Sequence, residues 1–400
     1  MITTNPSALT EAQIAGYHAE GYLILRGVLS SGEADEFRRL VKEETPRLAY
    51  PPKLKYPAPG KYTISGNSMA EPGFAQIVEH PTVVDAVECL LGEEAYLTAY
   101  VAYLRSPGDK GSGAHCDYKR WRPVGSSMNW LFAVIPLTDF SDEYGPLLLS
   151  PGSHKLSPVI DRSAAIWDVP RPDAKQLPEF IDPELKAGDL VLMHGHTWHK
   201  APAGTSDSDR CGIFNKYCAI NAPPAAGYYP YDQAAYESLS DQGKRLIPVH
   251  FDKPIATTRL LIEDGSNDES RYLLVRDEEG DGWQLPGGEG EDEEKVGWDV
   301  GARIGSLQSL IRDQLGVDVP WMSYIEDADE DDGICRLYGY ADAGFDPDSV
   351  NGDDRTWFTK DELLSSLGEE NPICQAATTW KQDIIRGKGK AIHQSKQQFE

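Results

Sequence analysis

His115 and Asp117, in Gly113-Ala114-His115-Cys116-Asp117, stand two residues apart, the spacing that turns two side chains to one face of a strand. A second run, Gly188-Asp189-Leu190-Val191-Leu192-Met193-His194-Gly195-His196-Thr197-Trp198-His199, ends a strand-like pattern in three histidines. Two imidazoles and a carboxylate on one face of an octahedral Fe(II) leave three positions for oxygen and an oxoacid, the facial triad of non-haem oxygenases. Arg210 follows His199 by eleven residues, across a Ser- and Asp-rich turn. A guanidinium binds a carboxylate through two parallel hydrogen bonds, which suits the distal carboxylate of 2-oxoglutarate while its keto-acid end chelates iron. His194 and His196 compete with His199 for the second imidazole position, and the spacing to Arg210 favours His199. An isolated HxD says little; the ordered set of HxD, then Gly-Asp-strand-His, then Arg is specific.

Elements must exist to hold these residues. Thr10-Glu11-Ala12-Gln13 has capping-box spacing and opens a helix ending near Gly21, followed by a short strand over 22–25 and a second, charged helix over 31–44. Residues 45–75 are rich in Pro, Gly and Tyr and read as a long loop, the kind that forms a lid or a pocket wall. From Tyr96 to Tyr217 short apolar or alternating runs (96–104, 130–136, 147–150, 189–193 and 212–219) are broken by Gly, Pro and Asp. Many short strands with turn signals predict a mainly β sandwich or jelly-roll barrel with flanking helices, not an alternating βαβ sheet.

A chain of 400 residues exceeds what one hydrophobic core usually organises, so two domains are expected. Charge supports a division: residues 1–250 hold 23 basic and 30 acidic side chains, residues 251–400 hold 15 and 34. A boundary is placed after the polar, Pro-containing stretch 248–254, giving domains 1–254 and 255–400. The net charge of -26 excludes wrapping of nucleic acid, which needs a Lys/Arg-rich face. No segment is apolar enough to span a bilayer and none has the form of a signal peptide, so no membrane partner and a cytoplasmic location are expected. The six cysteines show no CxxC spacing, which argues against a zinc ribbon or a dense disulfide framework.

Over about residues 8–235 the sequence resembles the phytanoyl-CoA dioxygenase family, including its ectoine-hydroxylase branch. The matched segments run in order: Leu9-Thr10-Glu11 to Gly21-Tyr22-Leu23-Ile24-Leu25-Arg26-Gly27, His115 and Asp117, Gly145-Pro146-Leu147 with Pro151-Gly152-Ser153-His154, and Gly188-Asp189 to His199 and Arg210. The resemblance implies a double-stranded β-helix (jelly-roll, cupin-like) with Fe(II), 2-oxoglutarate as co-substrate and O₂. It also implies a pocket aromatic at Trp121, four residues after Asp117. Cys116 stands where members often carry Gln or Ser, and Ala201 where they often carry Ser, which removes one hydroxyl contact to the co-substrate. Related halogenases leave the carboxylate position empty, so Asp117 favours hydroxylation, or another oxidation begun by hydrogen abstraction.

The site expected is His115, Asp117 and His199 on the metal and Arg210 on the co-substrate, with Asn129 as a second candidate contact. Tyr118, Trp121 and Arg120 are candidates for the substrate. Tyr118, Trp121 and Trp130 fit barrel core as well as pocket lining. Lys119, Arg120 and Arg122 directly follow the metal motif and suggest an anion site, hence a small substrate bearing a carboxylate or phosph(on)ate, although a surface salt-bridge cluster explains them nearly as well. His154, in PGSH, reads as a residue that fixes a turn or the pocket floor. His18, His80, His250 and His393 read as packed or solvent-facing.

Beyond the boundary, runs at 258–262 and 272–276 read as paired strands, followed by Trp283-Gln284-Leu285-Pro286-Gly287-Gly288, a helix ending Leu315-Gly316-Val317 and Trp357-Phe358-Thr359-Lys360-Asp361-Glu362-Leu363. These resemble a Nudix domain over about residues 256–385, an α/β module. In active Nudix hydrolases the helix supplies an Arg-Glu pair and two more glutamates that hold magnesium; aligned back from Gly316, Ser309, Leu310, Asp313 and Gln314 occupy those positions. Mg²⁺ needs more than one well-placed carboxylate in a near-octahedral shell. The expectation is a degenerate Nudix-like module that packs on the oxygenase, forms a homodimer or helps cover the pocket, with Glu289, Glu291, Glu293 and Glu294 in a solvated acidic loop. The alternatives are a Nudix-type diphosphate hydrolase with an accessory barrel, and a non-catalytic jelly-roll binding protein.

Overall fold

A computed structural model of the chain describes residues 9–375 apart from 50–53, 72, 118–129, 157–175, 221–227, 230, 252, 265–270, 278–279, 281, 290–299, 320–321, 343–346, 351, 369–370 and 372–373. The capping box at Thr10 forms, with the Gln13 amide N–H on the Thr10 hydroxyl, and helix α1 (Glu11–Glu20) ends on Gly21 at φ 81°. Strand β1 (Tyr22–Leu25) follows, then helix α2 (Ser31–Leu48), which runs four residues past its predicted end. Pro46 falls in its last turn, where the Thr45 hydroxyl donates to the Val41 carbonyl at 2.6 Å.

The expected long loop 45–75 is overturned. Strand β2 (Lys61–Ser65) lies within it, followed by a 3₁₀ turn, Gly66–Ala70. Its length comes from antiparallel pairing with β4 (Val101–Arg105), and the flanking Pro and Gly residues hide its alternation in the sequence. The expected strand over 96–104 divides at Tyr100 into β3 (Ala95–Ala99) and β4. Next come β5 (Gly111–His115), β6 (Trp130–Pro136), β7 (Leu148–Leu149), β8 (Leu190–His194), β9 (His199–Pro202) and β10 (Arg210–Ala219).

These strands form two sheets. The larger has the order β1-β8-β6-β10-β4-β2, with β3 also on β10; the smaller is β5-β9-β7. Leu131, Ala133 and Ile135 of β6, with Leu190 and Leu192 of β8, turn to one face and join the cluster containing Phe37 and Val41 of α2 and Val83, Val84 and Val87 of helix α3 (Pro81–Leu91). The alternate residues, Phe132, Val134, Val191, Met193 and Tyr103, turn to the other face and pack with Leu149 of the small sheet and Leu147 just before it. Period-two alternation therefore builds a two-sided main sheet, with helices behind it and the small sheet in front. Trp130 is buried and belongs to the core.

Gly188-Asp189 fastens one edge. Gly188, at φ 87°, backs onto the Leu29 carbonyl where no Cβ fits. The buried Asp189 carboxylate accepts from Arg26, from the Gly27 amide and from the Lys186 amide at 2.8–2.9 Å. The motif thus locks the end of β1 to the start of β8, and its conspicuous aspartate is architectural.

After a short parallel pair, β11 (Tyr231–Asp232) with β12 (His250–Phe251), a second seven-stranded sheet begins at β13 (Ile255–Asp264). Strand β13 pairs antiparallel with β14 (Arg271–Arg276), and parallel with a later strand, Gly333–Asp342. Helices Val300–Leu315 and Lys360–Leu367 accompany this sheet. Among the described residues no helix is long and apolar enough to cross a membrane.

Candidate metal centre and its pocket

His115 ends β5 and His199 begins β9, and the two are direct cross-strand partners. Pairing, not sequence proximity, therefore brings the imidazoles together, with ring centroids 4.4 Å apart. Asp117 lies two residues beyond the end of β5, so the shared-face argument from an unbroken strand is replaced by a turn of the chain that achieves the same convergence. One ligand atom from each of His115, Asp117 and His199 lies within 4.8 Å of the others, and among the described residues this is the group of three His, Cys, Asp or Glu side chains placed to hold a metal ion.

Backbone carbonyls fix which ring nitrogens face inward. His115 Nδ1 lies 2.7 Å from the Gly113 carbonyl, and His199 Nδ1 lies 3.1 Å from the Thr197 carbonyl. Each Nδ1–H donates there, which leaves both Nε2 lone pairs for a metal. Asp117 is divided in the same way: Oδ1 lies 3.6 Å from His115 Nε2, and Oδ2 lies 3.3 Å from Lys216 Nζ. Burial alone would raise the Asp117 carboxyl, but the Lys216 ammonium, with His199 and His115, holds it well below the usual carboxylate range. Burial pushes His199 down to about 4. A carboxylate and two imidazoles suit a divalent first-row metal, and the donor set fits Fe(II).

His194 and His196 lie outside this group. The His194 Nδ1 accepts the His196 amide at 3.1 Å, and the His194 ring packs between those of His154 and His196. His154 directs Nε2 at the His18 carbonyl, 3.2 Å away, while the Ser153 hydroxyl accepts the Trp198 amide and donates to Ser150. The Pro151-Gly152-Ser153-His154 segment therefore braces the chain between β8 and β9 from behind.

A cavity of about 380 Å³ opens over the triad, walled by Val101, Tyr103, Leu147, Phe214 and, at its polar positions, Lys61, Arg105, Arg210 and Lys216. Arg210, 3 % exposed, stacks its guanidinium 3.7 Å from the Phe140 ring centroid and 5.5 Å from that of Tyr103. Gly212 makes room for this stack, because a side chain there would meet Phe140 and the Tyr103 hydroxyl. The Arg210 Nε has no hydrogen-bond partner among the described residues. Burial lowers the pKa of the guanidinium from its ordinary value, with Arg105 acting in the same direction. A buried cation with open donors calls for an anion, and a planar fork fits a carboxylate. Ala201 lines the cavity without a hydroxyl, but Ser112, its cross-strand partner, brings one to the same wall.

Tyr118, Arg120, Trp121 and Asn129, together with Lys119 and Arg122, lie outside the described residues. Sequence reasoning missed Lys61, Tyr103, Arg105 and Lys216. The signal for Lys216 was present: positions 210, 212, 214 and 216 alternate onto one face of β10, so a lysine six residues after the arginine shares its pocket.

Residues 17–212 match the family model Phytanoyl-CoA dioxygenase (PhyH). A dioxygenase of Aspergillus fumigatus, af480, is 28% identical over 238 residues, covering 57% of this chain and 73% of its own. An ectoine dioxygenase of Bordetella bronchiseptica is 26% identical over 258 residues (56% and 80%), and a methylphosphonate hydroxylase of Gimesia maris is 22% identical over 272 (63% and 99%). The solved structure of the ectoine enzyme EctD from S. alaskensis, in its apo form, is 20% identical with a TM-score of 0.46, covering 56% of this chain and 82% of that one. Residues 17–212 are thus similar to the phytanoyl-CoA dioxygenase (PhyH) family, and the chain is an Fe(II)- and 2-oxoglutarate-dependent dioxygenase.

Proposed function

We propose that this dioxygenase hydroxylates, or otherwise oxidises at a C–H bond, a small anionic metabolite, with His115, Asp117 and His199 as iron ligands and Arg210 as the anchor of 2-oxoglutarate. The observation that carries the assignment is convergence in one cavity of two Nε2 atoms and a carboxylate with a buried arginine that keeps open donors. Iron and 2-oxoglutarate supply an oxidant derived from O₂, with succinate and CO₂ as the other products. The protein's part is positional. The Gly113 and Thr197 carbonyls hold the two imidazoles in one tautomer, Lys216 keeps Asp117 ionised and turned inward, and Arg210 fixes one end of the co-substrate. Phe214, Leu147 and Val101 limit water at the reacting end.

The same reading divides the chain into an oxygenase of the double-stranded β-helix type over 1–254 and a degenerate Nudix-like module over 255–400. Gln314, aligned with a magnesium-binding glutamate of active Nudix enzymes, exchanges two hydrogen bonds with the Gly287 backbone at 2.9 and 3.0 Å. That amide staples the Gly287 loop to the helix, and Asp313 beside it is exposed. Both features support a module retained for packing or binding.

Anaerobic addition of Fe(II) and then 2-oxoglutarate should develop a weak visible charge-transfer band in the wild-type protein and none in His199→Ala. Folded wild-type protein that gives no band and releases no succinate with any of a panel of amino acids, organic acids and phosphonates would refute the assignment.

A further inference from the structure

Lys61, Arg105 and Arg210 stand side by side. Lys61 on β2 is paired with Arg105 on β4, and Arg105 is paired in turn with Arg210 on β10, so three cations form one row across adjacent strands. Directly opposed side chains lie roughly 5 Å apart at Cβ, and like charges there repel. The row persists because its middle member is neutralised: Arg105 Nη1 binds Asp109 at 2.6 Å. Among the described residues the outer two have no such acid. Arg210 is the buried anchor described above, and the Lys61 ammonium has no ion pair or hydrogen bond among the described residues. Both lie over Tyr103, Lys61 Nζ at 5.2 Å from the ring centroid and the Arg210 guanidinium at 5.5 Å.

The two outer cations differ in depth. Arg210 is at the back, closed in by Phe140, whereas Lys61 is on the edge strand and exposed to the open side of the cavity. A co-substrate bound at depth takes Arg210, and whatever enters over it meets Lys61. Charge agrees. With Fe(II) and dianionic 2-oxoglutarate in place, Lys216 against Asp117 and Arg105 against Asp109, the loaded pocket retains about two positive charges, a field that favours an anion. We propose that Lys61 is the recognition point for an oxyanion group of the substrate (a carboxylate, phosphate or phosphonate), a second anion site beside the one at Arg210. The proposal rests on the iron and 2-oxoglutarate reading given above. Burial of the ammonium end over Tyr103, together with Arg105, pushes Lys61 down to about 8.

The test uses the full chain loaded anaerobically with Fe(II) and 2-oxoglutarate, and methylphosphonate, inorganic phosphate and acetate as probes in titration calorimetry. At least one probe should bind wild type, and Lys61→Met should weaken it by about tenfold or more, the scale of one lost charge-assisted contact. Lys61→Arg should retain most of the affinity, and 2-oxoglutarate affinity should stay within about twofold in both variants. Equal probe binding in Lys61→Met, or no oxyanion binding to loaded wild type, overturns the proposal. A parallel fall in 2-oxoglutarate affinity also overturns it, because Lys61 would then belong to the co-substrate. The charge-transfer band is read before any probe is added: its absence in wild type refutes the iron and 2-oxoglutarate reading itself and takes this proposal with it, whereas its presence with failed probe binding refutes this proposal alone.

Discussion

Arg210 and Lys216 project from one face of β10, yet the proposed function gives them opposite ends of the co-substrate site. With Arg210 as the proposed anchor, its removal leaves a buried carboxylate without its cation, so Arg210→Ala should weaken 2-oxoglutarate binding by roughly 2–5 kcal/mol, measured by anaerobic titration of the charge-transfer band. Arg210→Lys should recover part of this, since a point charge replaces the fork that Phe140 and Tyr103 hold flat. Unchanged affinity in Arg210→Ala would move the anchor to another residue. Lys216 acts through Asp117. Lys216→Met keeps the length of the side chain but removes the ammonium from Asp117 Oδ2, and Fe(II) affinity should fall about 10- to 100-fold, with the charge-transfer maximum displaced, as for other groups that orient a metal ligand. Metal affinity and band position both matching wild type would show that the ion pair does not position Asp117.

At the scale of elements, what was legible in the sequence divides by the range of the interaction that makes it. The strands bearing Leu190–His194 and Arg210–Ala219 were readable because their alternation is local, and the order of HxD, distal His and Arg follows from which strands must meet. Strand Lys61–Ser65, and with it Lys61, was not readable, because its five residues sit among Pro57, Pro59, Gly60 and Gly66 and owe their extended form to β4 some forty residues on. In the sequence the brace behind the triad shows only as a turn or a floor, although it has an energetic consequence. Burial pushes His154 down to about 4 and His196 to about 3, so both are neutral in the folded protein near neutrality, whereas the unfolded chain takes up protons near pH 6.5. Their contribution is therefore complete above about pH 6.5 and is lost as the pH falls toward the folded values. His154 alone should lower the unfolding free energy by about 2 kcal/mol between pH 7 and 5. Urea unfolding across that range should show a shallower pH slope in His154→Gln than in wild type, and identical slopes would mean that this histidine titrates normally in the fold.

For the whole molecule, the question is what the last third of the chain does for an oxygenase whose proposed ligands all precede it. One contiguous buried cluster includes Leu97 and Tyr217 from the first sheet and Leu260, Ile262 and Tyr338 from the second. Aromatic rings mark the crossing: Tyr96 on β3 meets Tyr228 edge-on at 5.6 Å, Tyr228 meets Tyr324 at 6.0 Å, and Tyr324 meets Tyr338 at 6.4 Å. A chain ending at Pro254 keeps Tyr96 and Tyr228 but loses Tyr324, uncovering apolar surface that the intact protein buries. Asp313 is exposed, and among the described residues it belongs to no metal-ligating group of three, so Asp313→Ala removes only a surface charge. The shortened chain should therefore be less soluble or melt at lower temperature, with reduced succinate formation, while Asp313→Ala stays within about 0.5 kcal/mol of wild type and is equally active. Thermal melts and succinate assays on the two variants decide the matter together. A shortened chain as stable and active as the whole, alongside an impaired Asp313→Ala, would assign the C-terminal sheet a metal-dependent role of its own in place of packing.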